Sequence, residues 1–237
     1  MANLEPKTGR GKQDTPAIPL RSLFASGVLV ISSWAIALWL YQILPERVPV
    51  HWNLQGEVDR YGSKFEGTMI VPIILTFLWL LFLFIPLLDP RRANYAKFRQ
   101  VYLGLVWFLL GFLLLIQVLT GMAMMGQPID IGVSISLAMA LLFIVLGLIL
   151  PRLKPNWFAG IRTPWTLEDD RVWEATHRLG GWLFILIGAL AVPLIFISSP
   201  AALVVIVAGV LLVSLILVVY SLILYRRLHA QDPTAHP

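Results

Sequence analysis

Residues 201–225 read AALVVIVAGVLLVSLILVVYSLILY, a run without any charged side chain or histidine. A helix needs about 20 mostly apolar residues to cross the hydrocarbon core of a bilayer, which is about 30 Å thick. This run would be about 37 Å long as a helix, which predicts a span that tilts or extends past the bilayer. The segment therefore indicates a membrane protein.

Five further segments share this apolar character, and none of the six contains Asp, Glu, Lys, Arg or His. The predicted spans are Leu23–Ile43, Met69–Leu88, Val101–Met125, Ile131–Leu150, Leu179–Ser198 and Ala201–Tyr225. Among open-ended elements, only helices satisfy every backbone polar group within lipid. The sequence thus predicts an all-α, polytopic membrane protein with six transmembrane helices.

The composition of the 237-residue chain agrees with this fold class. Hydrophobic residues make up 58% of the chain and charged residues 13%, whereas a soluble domain carries about 25% charged residues. The mean hydropathy is +0.81. The absence of cysteine excludes disulfide scaffolds, thiolate zinc sites and iron–sulfur clusters.

The distribution of positive charge predicts the orientation. Fifteen of the 18 Lys and Arg residues fall on one side of the predicted spans, and only Arg47, Arg60 and Lys64 fall on the other. Cytoplasmic loops carry the excess of Lys and Arg, so both termini are expected in the cytoplasm, with a short extracytoplasmic cap between helices 1 and 2. Since topology accounts for the net charge of +5, we expect no direct nucleic-acid partner.

These features divide the chain into four parts. Residues 1–21 are polar and rich in Pro, Gly and charge, which predicts a disordered cytoplasmic tail. Residues 22–88 hold the first helix pair and the outer loop 44–68, and residues 89–225 hold four helices and the inner loop 151–178. Residues 226–237 form a second cytoplasmic tail. Only the two loops are long enough to carry specific chemistry.

The outer loop combines residues that shape the backbone with polar side chains. Pro45 and Pro49 are expected to end the first helix and hold the chain extended. Apolar and polar residues alternate over residues 48–53, which predicts a short strand. Gly56 and Gly62 predict tight turns.

Those turns would bring Asp59 and Lys64 back towards His51 and Asn53, forming a recognition surface for a peptide, a lipid head group or a cation. A structural hydrogen bond between His51 and Asp59 is favoured over a ligand pair, because one imidazole and one carboxylate are too few for a metal site. The candidate partner-binding residues of the outer loop are His51, Asn53, Gly56, Asp59 and Lys64.

The inner loop admits two interpretations. Its many aromatic residues are typical of a segment that lies at the bilayer interface. The run Gly160-Ile161-Arg162-Thr163-Pro164 indicates instead a built corner, with Arg162 on a phosphate or a carboxylate. Thr166 is predicted to cap a helix that begins near residue 167 and continues into the fifth span.

Helical spacing relates several side chains of this loop. Trp173 and His177 are four residues apart and share a face, while Glu174 and Arg178 share another face and are expected to pair. Glu174 and His177 have the spacing of a metal half-site, but no second such pair lies on this side, so no metal is expected. The candidate partner-binding residues of the inner loop are Asn156, Gly160, Arg162, Thr163, Pro164, Trp165, Trp173 and His177.

Both loops resemble the SdpI family of bacterial membrane proteins, which is named for immunity to a secreted killing peptide. Residues 155–167, PNWFAGIRTPWTL, followed by Trp173 and His177-Arg178, are similar to the signature of that family. The outer run from Pro45 to Lys64 resembles an accompanying N-terminal domain of unknown function. The resemblance covers roughly residues 30–225, and the N-terminal tail is longer than is usual in the family.

The resemblance implies an immunity and signalling protein in the bacterial plasma membrane. By analogy with the founding member of the family, the outer loop would bind a secreted peptide toxin. The inner loop or the tails would hold a winged-helix transcriptional repressor at the membrane. The implied partners are therefore membrane lipid, a peptide toxin outside and a repressor inside.

Two other functions remain open from the residues alone. A transporter or exporter of a small amphiphile would not be proton-coupled, because the spans hold only neutral polar residues such as Gln117 and Ser136. An intramembrane enzyme acting on lipid or cell-wall precursors would have only His51 and Asp59 as an acid–base pair. We expect no enzymatic activity, no catalytic residue and no cofactor.

Overall fold

The computed structural model describes residue 18 and residues 20–230. Most of the predicted N-terminal tail and the last seven residues of the C-terminal tail lie outside the described residues. Ile18 is buried against the helices, and the first helix begins at Leu20, so the end of the predicted tail belongs to the folded body. The helices and strands are α1 (Leu20–Phe24), α2 (Gly27–Ile43), β1 (Arg47–Trp52), β2 (Val58–Ser63), α3 (Lys64–Leu88), α4 (Arg99–Met124), α5 (Ile131–Ile149), α6 (Pro164–Glu168), α7 (Asp170–Ile197) and α8 (Ser199–Ala230).

The prediction of six spans is confirmed. Six helices among the described residues are long and apolar enough to cross a membrane, and they correspond to α2, α3, α4, α5, α7 and α8. Large apolar side chains cover their outer faces, with Ile31 70% exposed and Phe196 75% exposed. Such surfaces suit contact with lipid rather than water. Helix α8 has 32 residues and is about 48 Å long, which exceeds the hydrocarbon core of about 30 Å.

Two helix starts differ from the sequence prediction. The second spanning helix begins at Lys64 instead of Met69, because the Ser63 hydroxyl accepts a hydrogen bond from the Glu66 N–H at 3.1 Å and caps the helix. The outer loop therefore ends at residue 63. The helix predicted to begin with Thr166 begins at Pro164 with Thr163 as its cap.

The chain also breaks between this short helix and the fifth span. Helix α6 ends at Glu168, and Asp169 caps the separate helix α7 by accepting from the Arg171 N–H at 2.7 Å. The Arg171 guanidinium donates to the Asp169 carboxylate at 2.7 Å, and this contact lowers the pKa of Asp169. The cap therefore stays ionised at neutral pH.

The spanning helices form two groups. Helices α2, α3 and α4 pack around a core that includes Leu75, Val106 and Leu110. Helices α5, α7 and α8 pack around a second core that includes Ala191 and Ile206. Trp173, near the start of α7, is buried in the first core. The two groups are therefore joined at the end of the bundle that carries the inner loop.

Glycines bring α5 and α7 into backbone contact. A Cβ atom built on Gly188 would lie 2.6 Å from the Ala140 carbonyl oxygen, and one on Gly147 would lie 2.6 Å from the Gly181 carbonyl oxygen. Only hydrogen fits at these positions, as is common where membrane helices approach closely. Gly209 of α8 packs in a similar way against Ile187 of α7.

Gly104 and Gly111 of α4 make no such contact within the described part of the chain. A Cβ atom at either position would meet no atom within 4 Å among the described residues. Both glycines lie on an open face of α4. A small residue permits a close approach, but the neighbouring helix decides whether the approach occurs.

A buried polar pair joins α2 to α4. The Ser33 hydroxyl donates to the Gln117 side-chain oxygen at 2.5 Å, and the Gln117 amide donates to the Ser33 carbonyl oxygen at 3.0 Å. Both side chains are buried. Gln117, which lies in the apolar part of α4, is thus engaged in a contact between helices.

The glycine contacts predict opposite effects for two matched substitutions. We expect Gly188→Ala to lower the free energy of unfolding by about 1–3 kcal/mol, because the added methyl group overpacks the α5–α7 contact. Gly111→Ala is expected to be neutral or to raise it by about 0.5–1 kcal/mol, as alanine favours a helix. Thermal unfolding of the purified protein in detergent would measure both, and equal midpoints for the two variants would contradict the close contact.

Candidate binding surfaces at the two ends of the bundle

The outer loop folds into an antiparallel β-hairpin. Strand β1 pairs with β2, with Arg47 opposite Ser63 and Val48 opposite Gly62. The strand expected over residues 48–53 is confirmed as β1, but β2 was missed because residues 58–63 show no alternation of apolar and polar side chains. Gly62 lies within β2 and not in a turn, which corrects the prediction for that residue.

Asn53 and Gly56 form the turn of the hairpin. The Asn53 side-chain oxygen accepts from the Gln55 N–H at 2.9 Å and from the Glu57 N–H at 3.0 Å. Gly56 has φ = +81°, which favours glycine. A Cβ atom there would lie 3.3 Å from the backbone nitrogen of Gly132. The tip of the hairpin therefore rests on the start of α5, in the second helix group.

His51 and Asp59 meet across the hairpin as expected. The His51 Nδ1 atom lies 2.6 Å from Asp59 Oδ1, and the two side chains are 61% and 42% exposed. Water screens an ion pair this exposed, so it adds little to stability. Both groups remain available to a partner that approaches from outside the protein.

Lys64 does not join this pair, which corrects the sequence prediction. The strand register places Lys64 at the open base of the hairpin. Its Nζ atom lies 2.8 Å from the Glu46 carboxylate and 4.8 Å from the centre of the Tyr41 ring. Lys64 therefore fastens the hairpin to the helices and does not complete the surface around His51.

The hairpin packs onto the helices instead of standing free. Val48 is fully buried in a small core with Leu40 and Leu44. A Cβ atom on Gly67 of α3 would lie 2.7 Å from Val48 and 2.8 Å from the sulfur of Met124. The hairpin is thus held at its base by α2, α3 and α4 and at its tip by α5.

At the opposite end of the bundle, the inner loop is organised around Asn156. Its side-chain oxygen accepts from the N–H groups of Phe158 and Ala159 at 2.9 and 2.7 Å. Its amide donates to the carbonyl oxygens of Lys154 and Ala159 at 2.9 and 3.0 Å. Asn156 is fully buried, so it shapes the loop and does not face a partner.

His177 holds the next part of the loop against α7. Its Nδ1 atom lies 2.9 Å from the Trp173 carbonyl oxygen, and its Nε2 atom accepts from the Ile161 N–H at 2.9 Å. Because a carbonyl only accepts and an amide N–H only donates, these contacts require a neutral ring with its proton on Nδ1. The ring stacks on Trp173 at 4.0 Å between centroids. Both ring nitrogens are occupied, so neither is free to bind a metal.

Gly160 is required beside this histidine. Its φ is +108°, and a Cβ atom there would lie 2.3 Å from His177 Nε2. The next turn is held by Thr163, which caps α6 through mutual hydrogen bonds with Thr166. Thr163 also contacts Ser221 of α8 at 3.2 Å between hydroxyl oxygens.

Only some of the candidate partner-binding residues of the inner loop are exposed. Arg162 is exposed and donates to the Trp157 carbonyl oxygen at 2.7 Å. Pro164 is also exposed, Trp165 is half-buried, and Trp157 is 47% exposed. Trp157, Arg162 and Pro164 line an open groove together with the buried Thr163. Asn156, Trp173 and His177 are buried and do not line this groove.

The expected pair between Glu174 and Arg178 does not form. Glu174 instead lies 3.0 Å from the Nζ atom of Lys154. Lys154 lies near the start of the inner loop, 20 residues before Glu174. This contact is another tie between the loop and α7.

Asp89 is the important residue that the sequence analysis missed. It is 1% exposed and follows the last residue of α3. One carboxylate oxygen accepts from the Arg91 N–H at 2.7 Å, and the other accepts from the Tyr95 hydroxyl and the Trp157 N–H, both at 2.9 Å. The only signal in the sequence was a single carboxylate directly after an apolar span.

Neighbouring residues reinforce the link that Asp89 makes between α3 and the inner loop. The Asn94 amide donates to the Pro155 carbonyl oxygen at 2.8 Å. Arg91 donates to the Leu167 carbonyl oxygen and lies 3.4 Å from the Asp170 carboxylate. The segment between α3 and α4 is therefore the support on which the inner loop rests.

Removing the charge of Asp89 is expected to loosen the inner loop. In Asp89→Asn the amide nitrogen cannot accept, so at least one of the three donors loses its partner, at a cost of about 1–3 kcal/mol. We expect a lower thermal midpoint and faster trypsin cleavage after Arg162. Asp59→Asn, an exposed matched change at the other end, is expected to stay within about 0.5 kcal/mol of wild type, and equal cleavage rates in both variants would refute this role of Asp89.

Comparison with known proteins places these two ends in separate conserved units. The model of the SdpI/YfhL protein family matches residues 152–221, which include the inner loop, and that of a domain of unknown function, DUF1648, matches residues 28–76, which include the hairpin. No solved structure matches the chain.

Two proteins of Bacillus subtilis (strain 168) are similar to the chain. Immunity protein SdpI is 24% identical over 202 residues, which cover 85% of this chain and 95% of that protein. The Uncharacterized membrane protein YbgB is 25% identical over 89 residues, which cover 35% of this chain and 87% of that protein. The resemblance found in the sequence is thus confirmed: this is a multi-pass bacterial membrane protein with a region that matches the SdpI/YfhL family model and a DUF1648 domain, and it is homologous to Immunity protein SdpI.

Proposed function

We propose that this protein confers resistance to a secreted antimicrobial peptide and holds a transcriptional repressor at the membrane. The observation that carries the proposal is the similarity to Immunity protein SdpI, which extends over 95% of that protein. Both the hairpin and the inner loop fall within regions that match family models. A short shared segment would support only a common fold element.

The charge distribution supports a division of labour between the two ends. Only Arg47, Arg60 and Lys64 lie at the hairpin end, while the inner-loop end is rich in Lys and Arg. By the positive-inside rule, the hairpin faces the outside of the cell. It therefore meets a secreted peptide first, with the exposed pair His51 and Asp59 on its surface.

The inner end offers a surface suited to a protein partner. Trp157, Phe158 and Arg162 are exposed beside Pro164 and Glu168. Exposed tryptophan and arginine are the residue types that most often dominate binding energy at interfaces. The hydrogen bonds of the buried Asn156 and the neutral His177 fix the backbone beneath this surface. Little conformational entropy would therefore be lost when a repressor binds.

A continuous set of contacts connects the two ends. The hairpin tip at Gly56 touches Gly132 of α5. Helix α5 contacts α7 through Gly147 and Gly181, and α7 carries Trp173 and His177 beneath the inner loop. Packed helices and hydrogen-bond networks can carry energetic coupling between distant sites. This route supports the proposal that toxin binding outside alters repressor binding inside.

Immunity is tested by survival of a sensitive bacterium that expresses the chain and is challenged with the secreted killing peptide. We expect wild type to protect. His51→Ala is expected to reduce protection about tenfold, which corresponds to a loss of about 1.4 kcal/mol in toxin binding. His229→Ala, at the other end of the bundle, serves as the matched control. At equal membrane levels, identical protection by the two variants would remove the hairpin surface from the mechanism.

Repressor recruitment is tested separately by crosslinking from the inner loop in intact cells. We expect wild type to capture a cytoplasmic winged-helix protein when the toxin is present. Arg162→Ala is expected to reduce capture about tenfold, whereas Arg178→Ala, also exposed on this side, is expected to leave it unchanged. Undiminished capture by Arg162→Ala would count against the inner-loop surface.

A further inference from the structure

A small pocket lies between the β-hairpin and the adjoining ends of α3 and α4. Its volume is about 170 Å³. The walls are mainly apolar and include Val50 and Trp52 from β1, Val71 from α3 and Met124 from α4, while Arg60 and Glu66 stand at the polar side. Neither loop surface described above includes this pocket.

The volume restricts what the pocket can hold. A cavity of about 150 Å³ lined by apolar side chains accommodates benzene, whereas pockets for drug-sized ligands run from about 300 to 1,000 Å³. The space therefore fits one aromatic or branched aliphatic side chain. It is too small for a phospholipid acyl chain or for a complete small amphiphile.

The charged groups beside the pocket also favour a peptide over a lipid. Arg60 and Glu66 are joined at 2.7 Å between guanidinium nitrogen and carboxylate oxygen, and their side chains are 56% and 31% exposed. The Glu66 carboxylate disfavours a lipid phosphate at this place. Together the two residues present a donor and an acceptor, which match the N–H and C=O groups of a peptide main chain.

The position of the pocket links it to the hairpin. Gly67, whose missing side chain allows Val48 and Met124 to approach α3, forms part of its wall. The pocket lies within two turns of the start of α3 and at the last turns of α4. An occupant would therefore touch the hairpin and two spanning helices at once, at the level where the spans end.

We propose that this pocket binds one bulky apolar side chain of the secreted peptide, while Arg60 and Glu66 hydrogen-bond the adjacent peptide main chain. The proposal rests on the proposed immunity function and names the part of the protein that recognises the toxin. Recognition then depends on a side chain that enters the pocket, in addition to the exposed surface around His51.

The test compares a variant that fills the pocket with a control variant that makes a similar change outside the pocket on the same helix. Val71→Phe places a ring in the pocket, whereas Ile73→Phe adds the same ring on the exposed side of α3. Survival against the secreted killing peptide is measured at equal membrane levels for wild type and both variants. We expect protection to fall about tenfold in Val71→Phe and to remain unchanged in Ile73→Phe.

A second measurement detects occupancy without relying on immunity. The protein in phospholipid nanodiscs is mixed with synthetic versions of the secreted killing peptide and irradiated. Each version carries one diazirine-bearing apolar residue, placed at a different position. Mass spectrometry then locates the adducts. We expect adducts on Val50, Val71 or Met124 from one peptide position, lost in Val71→Phe and retained in Ile73→Phe.

The outcomes separate this proposal from the proposed function. Equal protection by all three proteins, without pocket adducts, would leave immunity standing and overturn the pocket. Pocket adducts without protection by wild type would support the pocket and overturn immunity. Labelling of the pocket by a diazirine-bearing lipid but not by the peptide would assign the pocket to lipid and overturn the proposal, as would the absence of any adduct.

Discussion

Hydrocarbon offers no hydrogen-bond partners, and this constraint determines where chemistry can reside in the protein. Between the two ends, several polar groups bind each other or their own helix, as Ser33 and Gln117 do across α2 and α4 and as Thr120 does with the Ile116 carbonyl oxygen. Ser136 and Thr176 are buried without a partner among the described residues. The exposed polar side chains available for recognition consequently lie mainly at the two ends, in and beside the hairpin and the inner loop.

The two ends of the bundle differ in whether their polar side chains are exposed or buried. The hairpin is a thin element that leaves most of its polar side chains exposed and gains its position from Val48, Lys64 and the contact of Gly56 with α5. The inner loop hides its polar groups, with Asn156 and Asp89 bound to backbone N–H groups. A buried network that is fully satisfied makes one backbone conformation strongly preferred. The outer end thus presents side chains, and the inner end presents a shaped backbone with a few side chains upon it.

The sequence predicted those elements that a local pattern of side chains determines. Apolar run length identified all six spans, and alternation identified β1. Strand β2 carries no such alternation, and its pairing follows from the turn at Asn53 and Gly56. The start of α3 was missed because Ser63 caps a polar first turn that hydropathy does not register.

Contacts between distant segments lay beyond the reach of the sequence. Trp157 follows Asp89 by 68 residues, and no spacing rule connects them. The same limit explains why His177 looked like a candidate binding residue: its partner Ile161 lies in the corner before α6. Gly104 and Gly188 look alike in the sequence, and only the position of the neighbouring helix distinguishes them.

The seating of Gly56 on Gly132 has a practical consequence for anyone who modifies this protein. The tip of a hairpin between two spans would ordinarily be the first choice for inserting an epitope tag or a fluorescent label. Here the backbone of the tip touches the backbone of α5, so an insertion would wedge the hairpin away from one helix group while its base stays fastened to the other. Labels belong on side chains that point outward, such as Tyr61, which is 55% exposed.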